Sequence, residues 1–539
     1  MDIIRILYNG IIRTGVPGGR AARAIAFEEG RPGEPGRIIA LGDDDEILAL
    51  PRKPGTEKID LEGRLLLPGF IDSHIHMLVT GDHAEKLHLN GSKSRAEIVA
   101  RAKKYIAEKN PAPGEWIEGT GFDQTEFDVP EMPDRALADE ISREHPVVLI
   151  RQCFHIAAAN GAALAKLDPS VEYPGVERDA NGRFTGVLRE RGVGALLTLR
   201  PAPSRDEIER RILSTSERLV RSGLTSIHSC DLAMTAERDR ALDVFRDLDR
   251  DGRLPLRIYE GVSSRGLAYL RAFLPSDEWK AASPFFTLGF VKLVADGSLG
   301  ARTAYMREPY SDAPETRGKA NYTQEELEAH IFAAHAAGRQ MAIHAIGDGA
   351  LEQVLRAMEK LPGTRGRRHR VVHLLAGDPS QYERIRRLGL CADIQPTFLL
   401  HHFTMEGRLG ARTDTAYAWK TLLDLGVPLG GGSDSPIDTF DPLFGIYCAV
   451  TRQDRNGNPA GGHTPSQRLS VREAVDLYTS GSARLAFEEN VKGTLEPGKL
   501  ADFVALTRDI FTIPPEEILN TRVAMTWVDG KPEFVNPDL

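Results

Sequence analysis

Short apolar, β-branched runs alternate with longer amphipathic stretches through most of the chain. Amphipathic stretches such as "SRDEIERRILSTSERLVRSG", with Ser204 as a possible N-cap and Gly223 as a stop, predict helices. Strands alternating with helices are typical of βα units on a parallel sheet, so the pattern predicts a (β/α)8 TIM barrel. The eight predicted strands are Ile71 to His76, Thr225 to Cys230, Leu256 to Val262, Gly289 to Ala295, Gln340 to Ala345, His369 to Leu374, Leu390 to Gln395 and Val427 to Ser433.

The two ends of the chain carry hairpin patterns. Asn9-Gly10 lies between apolar runs in "ILYNGIIRTG", and Asp529-Gly530 does so in "AMTWVDGKPEFV". These patterns predict a small β-sandwich domain built from residues 1–64 and 486–539, with the barrel occupying residues 65–485.

The gap between the first two barrel strands is too long for one crossover helix. It contains the strand-like run "PVVLIRQCF" and helical stretches of its own. We therefore expect an inserted subdomain after strand 1, at about residues 85–205.

Composition narrows the class of protein. The chain has 539 residues, 41% of them hydrophobic, and a formal net charge of -9, so nucleic acid and anionic membranes are not expected as partners. No stretch approaches 18 consecutive apolar residues, and the first residues show no long apolar core or small-residue cleavage site, so we expect neither a membrane span nor export. Four cysteines lie far apart, which fits reduced thiols and predicts a cytoplasmic protein.

Four predicted strands end in residues that can bind a metal ion. His74 and His76 would point to the same side at the end of the first strand. His344, His373 and Asp434 come at the ends of strands five, six and eight. Each alone is more often a structural residue, but together they converge on the end of a barrel where active sites lie. Imidazoles and a carboxylate suit zinc or a similar divalent ion.

Lys292 stands in the middle of the apolar fourth strand, in "GFVKLVADGSLG". An unpaired buried ammonium is costly, so one interpretation pairs it with a nearby acid such as Asp296. The other is chemical. A desolvated lysine loses its proton readily, and the neutral amine can add carbon dioxide to give an N-carboxylate that bridges two metal ions.

Five segments together resemble a known family. They are "LPGFIDSHIHM", "VKLVADGSLGARTA", "AIHAIGDGA", "GGSDSPIDTFDP" and "GTLEPGKLADFVAL". The set is similar to the metal-dependent amidohydrolase superfamily, in the branch called amidohydrolase family 3, which includes N-substituted formamide deformylases. The resemblance implies one or two divalent ions, with zinc favoured, and a possible N-carboxylated Lys292. It implies the metal ligands His74, His76, Lys292, His344, His373 and Asp434.

The insert carries further segments of that family. "RQCFHIAAANGAAL" and "TGVLRE" match segments that place His155 and Glu190 as substrate-orienting residues, although both could equally be structural. Phe154 could line an apolar pocket and Arg302 could bind the substrate, but an ordinary surface ion pair is nearly as good an interpretation of Arg302. Cys153-Phe154, and Val372 before His373, depart from the family pattern, so we expect substrate choice to differ.

The predicted function is hydrolysis of a non-peptide C–N bond in a small amide-type substrate. A metal-bound hydroxide would attack, with Asp434 as general base and Lys292 as the second catalytic residue. With a single ion, Lys292 would act instead as a neutral amine or a cation near the substrate. The alternatives are a mononuclear heterocycle deaminase of the same superfamily and a non-catalytic barrel with a binding or regulatory role. The resemblance also makes a homodimer plausible.

Overall fold

A computed structural model describes residues 4–19, 21–31, 33–50, 56–152, 156–234, 238–263, 266–279 and 283–538. The chain divides into two compact units. One comprises Met1–Gly81 with Arg205–Leu539, and the other is Asp82–Ser204.

The first unit contains a sheet of eight parallel strands in sequential order, which confirms the predicted TIM barrel. The last strand returns to the first, where the Asp434 amide donates to the His74 carbonyl at 2.7 Å. The strands are β1 (Phe70–Ile75), β2 (Leu224–Ser229), β3 (Arg257–Ser263), β4 (Phe286–Val294), β5 (Gln340–Ala345), β6 (Arg370–His373), β7 (Cys391–Ile394) and β8 (Leu429–Gly431).

The helices of this unit cover the outside of the barrel, so the strands are buried on both faces and read as nearly continuous apolar runs. Local signals set the helix ends. Thr323 and Glu326 form a capping box, and Gly389 ends a helix in the left-handed conformation. The main helices are Arg205–Arg221, Arg238–Arg250, Leu267–Phe273, Gln324–Ala336, Asp348–Glu359, Pro379–Leu388, Trp419–Asp424, Pro442–Thr451 and Val471–Asp476.

Both termini build two small sheets that share an apolar core including Phe27, Phe503 and Trp527. The run Leu65–Pro68 pairs with Phe503–Leu506, so the terminal sheet extends past the expected boundary at residue 64. Gly69 lies between this run and β1. The position requires glycine, because a Cβ there would lie 2.2 Å from the Thr225 hydroxyl oxygen. One sheet has the strands Ile4–Tyr8, Ala24–Glu28, Ile38–Gly42 and Glu57–Asp60, and the other Ile11–Ile12, Leu65–Pro68, Phe503–Leu506, Val523–Val528 and Lys531–Val535.

The second unit is the insert after strand β1. It has helices at Arg95–Lys109, Arg135–Ile141, Gly161–Leu164 and Arg191–Leu197. Its sheet has the strands Leu87–His88, Ile117–Phe122, Val147–Arg151, Ile156–Ala159, Val176–Arg178 and Phe184–Arg189. In neither unit does the described part of the chain contain a helix both long and apolar enough to cross a bilayer.

Candidate metal centre

Asp434 and two histidines form the centre of the site. Asp434 Oδ1 lies 3.3 Å from His74 Nε2 and 3.2 Å from His76 Nε2. The potential ligand atoms of these three residues all lie within 4.8 Å of one another. The cluster is therefore compact enough for one ion to contact all three.

The junction of β1 and β8 holds this cluster in place. Asp72 accepts hydrogen bonds from the backbone amides of His74 at 2.9 Å and Ser433 at 3.1 Å, which ties the two strands together. Gly432 allows β1 and β8 to approach each other, because a Cβ there would lie 2.7 Å from the backbone nitrogen of His74. Asp434 itself has φ of 57°, a left-handed conformation that a non-glycine residue adopts only where its surroundings enforce it.

Lys292 points into the same cluster. Its side chain is buried, and Nζ lies 3.2 Å from His74 Nε2. The alternative partner, Asp296, accepts instead from the backbone amides of Tyr305, Ile346 and Gly347. Within the described part of the chain Lys292 forms no ion pair with a carboxylate. The amine therefore faces a candidate metal ligand without a carboxylate partner.

His344 and His373 lie beside this group, and they use opposite ring nitrogens for their hydrogen bonds. Their ring centroids lie 4.5 Å apart, and His373 lies 5.5 Å from His74. His344 Nε2 contacts the Gly297 carbonyl at 3.0 Å, so Nε2 carries the proton and Nδ1 keeps its lone pair. His373 Nδ1 donates to Gln395 Oε1 at 2.7 Å, which leaves the lone pair on Nε2.

Burial sets the protonation state that metal binding requires. It lowers the pKa of His74 to about 3, with a further contribution from Lys292, and lowers that of His373 well below its ordinary value. Burial also opposes ionisation of Asp434, but hydrogen bonds from His74 and His76 outweigh it and hold the pKa of this carboxyl well below its usual range. Neutral imidazoles and an ionised carboxylate are the forms that bind a divalent ion.

The donor set fits a divalent ion such as zinc. Zinc prefers imidazole nitrogen and carboxylate oxygen, and a catalytic zinc site keeps one position open. Among the described residues, the Nδ1 atom of His76 is buried without a hydrogen-bond partner. A cluster of buried imidazoles of this kind is costly unless an ion or water satisfies its nitrogens.

Two supporting residues escaped the sequence analysis. Gln395 fixes the tautomer of His373, and the Cys230 thiol contacts His74 Nδ1 at 3.5 Å. Phe398 stacks on the His373 ring, with 5.8 Å between the ring centroids. Gln395 and Cys230 each directly follow the last residue of a barrel strand. The rule that identified the histidines could therefore have found these two as well.

The weaker sequence predictions have different outcomes. Arg302 forms two hydrogen bonds with Asp312, at 2.9 and 3.1 Å, which is the surface ion pair considered as the alternative. Glu190 lies in the insert at φ of 48°, directly before the helix Arg191–Leu197. Phe154 and His155 lie outside the described residues.

Comparison with known proteins places the chain among hydrolases. The model of the amidohydrolase family matches residues 57–534. YtcJ of Bacillus subtilis is 32% identical over 98% of both chains, and the N-substituted formamide deformylase of Arthrobacter pascens is 25% identical over 92% of this chain and 93% of its own. A solved metal-dependent hydrolase of Pyrococcus horikoshii has a TM-score of 0.80 and 30% identity, covering 95% of this chain and 99% of its own.

Proposed function

Because the chain belongs to the amidohydrolase family, we propose that its histidine and aspartate cluster is a catalytic metal centre that hydrolyses an amide-type C–N bond of a small molecule. The observation that carries the proposal is the approach of Asp434 Oδ1 to both His74 and His76 at the carboxyl end of the barrel. The carboxylate there can bind an ion and accept a proton.

The ligands divide into two groups by position. His74 and His76 would hold one ion, with zinc favoured, beside Asp434. His344, through Nδ1, and His373, through Nε2, would hold a second. Lys292 would join the two as an N-carboxylate, formed when its neutral amine attacks carbon dioxide and the nitrogen loses a proton.

Asp434 would carry the proton in the reaction. When bound, a divalent ion lowers the pKa of a coordinated water and polarises the substrate carbonyl. Asp434 Oδ1 would accept the proton of the attacking water and return it to the leaving nitrogen. A carboxylate that stays ionised at neutral pH can perform the first step, and its protonated form is acidic enough for the second.

A substrate screen tests the proposal. Purified protein loaded with zinc or manganese would be assayed for release of amine from N-formyl amines, N-acyl amines, cyclic amides and carbamates, and for release of ammonia from nucleobases. We expect turnover of at least one amide-type class. Ammonia release from nucleobases without amide turnover would favour a deaminase, and no turnover of any class would favour a binding protein.

A further inference from the structure

A cleft of about 320 Å³ opens at the amino ends of strands β6, β7 and β8, the end of the barrel opposite the candidate metal ligands. Four arginines contribute to its lining, together with residues of the turn before β8 and of the start of β7. The arginines are Arg365, Arg368, Arg386 and Arg484.

Two of these arginines are already neutralised. Arg368 pairs with Glu489 through both terminal nitrogens, at 2.5 and 2.9 Å, and Arg386 pairs with Glu383. Arg365 and Arg484 form no ion pair within the described part of the chain. The cleft therefore carries excess positive charge in a chain whose formal net charge is -9.

The walls of the cleft are fixed rather than loosely arranged. Arg368 has φ of 47°, donates to the Arg484 carbonyl at 2.5 Å, and lies 4.5 Å from the centre of the Phe487 ring. Gly389, at φ of 67°, packs so tightly that a Cβ would lie 2.6 Å from Arg365 Cα. Arg368 is thus tied to the backbone of Arg484, and the backbone of Arg365 packs on Gly389, before any ligand arrives.

We infer that this cleft binds a small multivalent oxyanion of the phosphate type. Guanidinium groups bind such anions through paired N–H donors, and they stay charged at every physiological pH. Two unpaired guanidiniums match the charge of a pyrophosphate or a phosphate ester better than that of a neutral amide. Residues 368 to 373 span about 16 Å at the rise of a β-strand, so the cleft is separate from the metal centre.

Calorimetric titration with pyrophosphate tests the inference, using the wild type, the double variant Arg365→Ser/Arg484→Ser, and the control Arg356→Ser/Arg508→Ser. The control removes the same charge from exposed arginines that pair with Glu352 and Glu517 elsewhere. We expect saturable binding by the wild type with a Kd below about 1 mM at low salt. The cleft variant should bind at least 10-fold more weakly, and the control should match the wild type.

Two results would overturn the inference. One is the lack of saturable binding up to about 10 mM pyrophosphate, and the other is equal weakening in the cleft variant and the control. A parallel titration with a single-stranded oligonucleotide separates the sources of phosphate, since binding of the oligonucleotide alone would also contradict a site for small anions. Thermal melts establish that both variants are folded.

Discussion

His76 and Asp434 face each other across the junction of the first and last barrel strands, with 3.2 Å between His76 Nε2 and Asp434 Oδ1. The two residues are far apart in sequence, and only closure of the barrel brings them together. The proposed chemistry depends on this contact, because the same carboxylate oxygen can contact an ion and the reacting water.

Asp434→Asn tests the role of the carboxylate. The amide keeps the size of the side chain but cannot take a proton, so we expect kcat for the best amide substrate to fall by about 10³-fold or more. Thermal melts should show a folded protein. The control Asp424→Asn changes an exposed carboxylate that pairs with Lys420 and should leave kcat unchanged. Full activity of Asp434→Asn would exclude this residue as the base.

Lys292→Arg tests the N-carboxylate bridge. Arginine keeps the positive charge but cannot add carbon dioxide, so we expect the bound metal, measured by plasma mass spectrometry, to fall from two ions per chain to one or none. Wild-type protein in labelled bicarbonate should show a carbamate signal in ¹³C NMR that Lys292→Arg lacks. The exposed substitution Lys420→Arg serves as the control. Equal metal content in all three proteins, without a carbamate signal, would rule out the bridge.

Gln395 should control metal affinity through His373. In Gln395→Leu the Nδ1–H group of His373 loses the oxygen that accepts its hydrogen bond, so the His373 ring is free to change tautomer. We therefore expect metal affinity, measured in competition with a chelator, to fall by about 10- to 100-fold. Gln395→Glu keeps an acceptor and should retain most of the affinity. A merely structural role would lower thermal stability equally in both variants without separating their metal affinities.

The sequence predicted which side chains the barrel brings together at the candidate site, because the rule behind that prediction is local. A polar residue at the end of an apolar strand stands out, and barrel closure then places His74, His344, His373 and Asp434 in one region. The role of Arg302 was harder to predict, because its partner Asp312 lies in a loop, and the sequence has no periodic pattern there that would indicate the path of the chain. Leu65–Pro68 was assigned to the barrel because its apolar run continues into β1, whereas its pairing with Phe503–Leu506 is long-range.

Asp502 should contribute strongly to stability. Its carboxylate accepts from buried Arg257 at 2.7 and 3.0 Å and joins the terminal sheet to strand β3. Asp502→Asn removes a negative charge that balances the buried guanidinium of Arg257. We therefore expect the free energy of unfolding, measured by urea titration, to fall by about 3 kcal/mol. Asp247→Asn weakens solvent-accessible ion pairs with Arg205 and Arg250 and should change the free energy of unfolding far less. Similar small losses in both variants would contradict the buried role.

Glu533 should make stability depend on pH. Burial, aided by Asp529 and opposed by Lys531, raises the pKa of this carboxyl to about 7. The folded state therefore holds the proton more tightly than the unfolded state, so this group's contribution to stability falls as pH rises from about 4 to 7. Glu533→Gln removes the effect. Relative to the wild type, the variant should gain stability across this range and keep that gain above pH 7, and a pH-independent difference would contradict the assignment.

The most direct test is zinc-dependent release of amine by chelator-treated protein, measured for the wild type and for His74→Asn/His76→Asn with the best substrate from the screen. We expect no release by either protein before zinc is added, and recovery by the wild type alone at one or two equivalents of zinc. Undiminished release by the metal-free wild type, or equal recovery by the variant, would contradict a catalytic metal centre at this cluster.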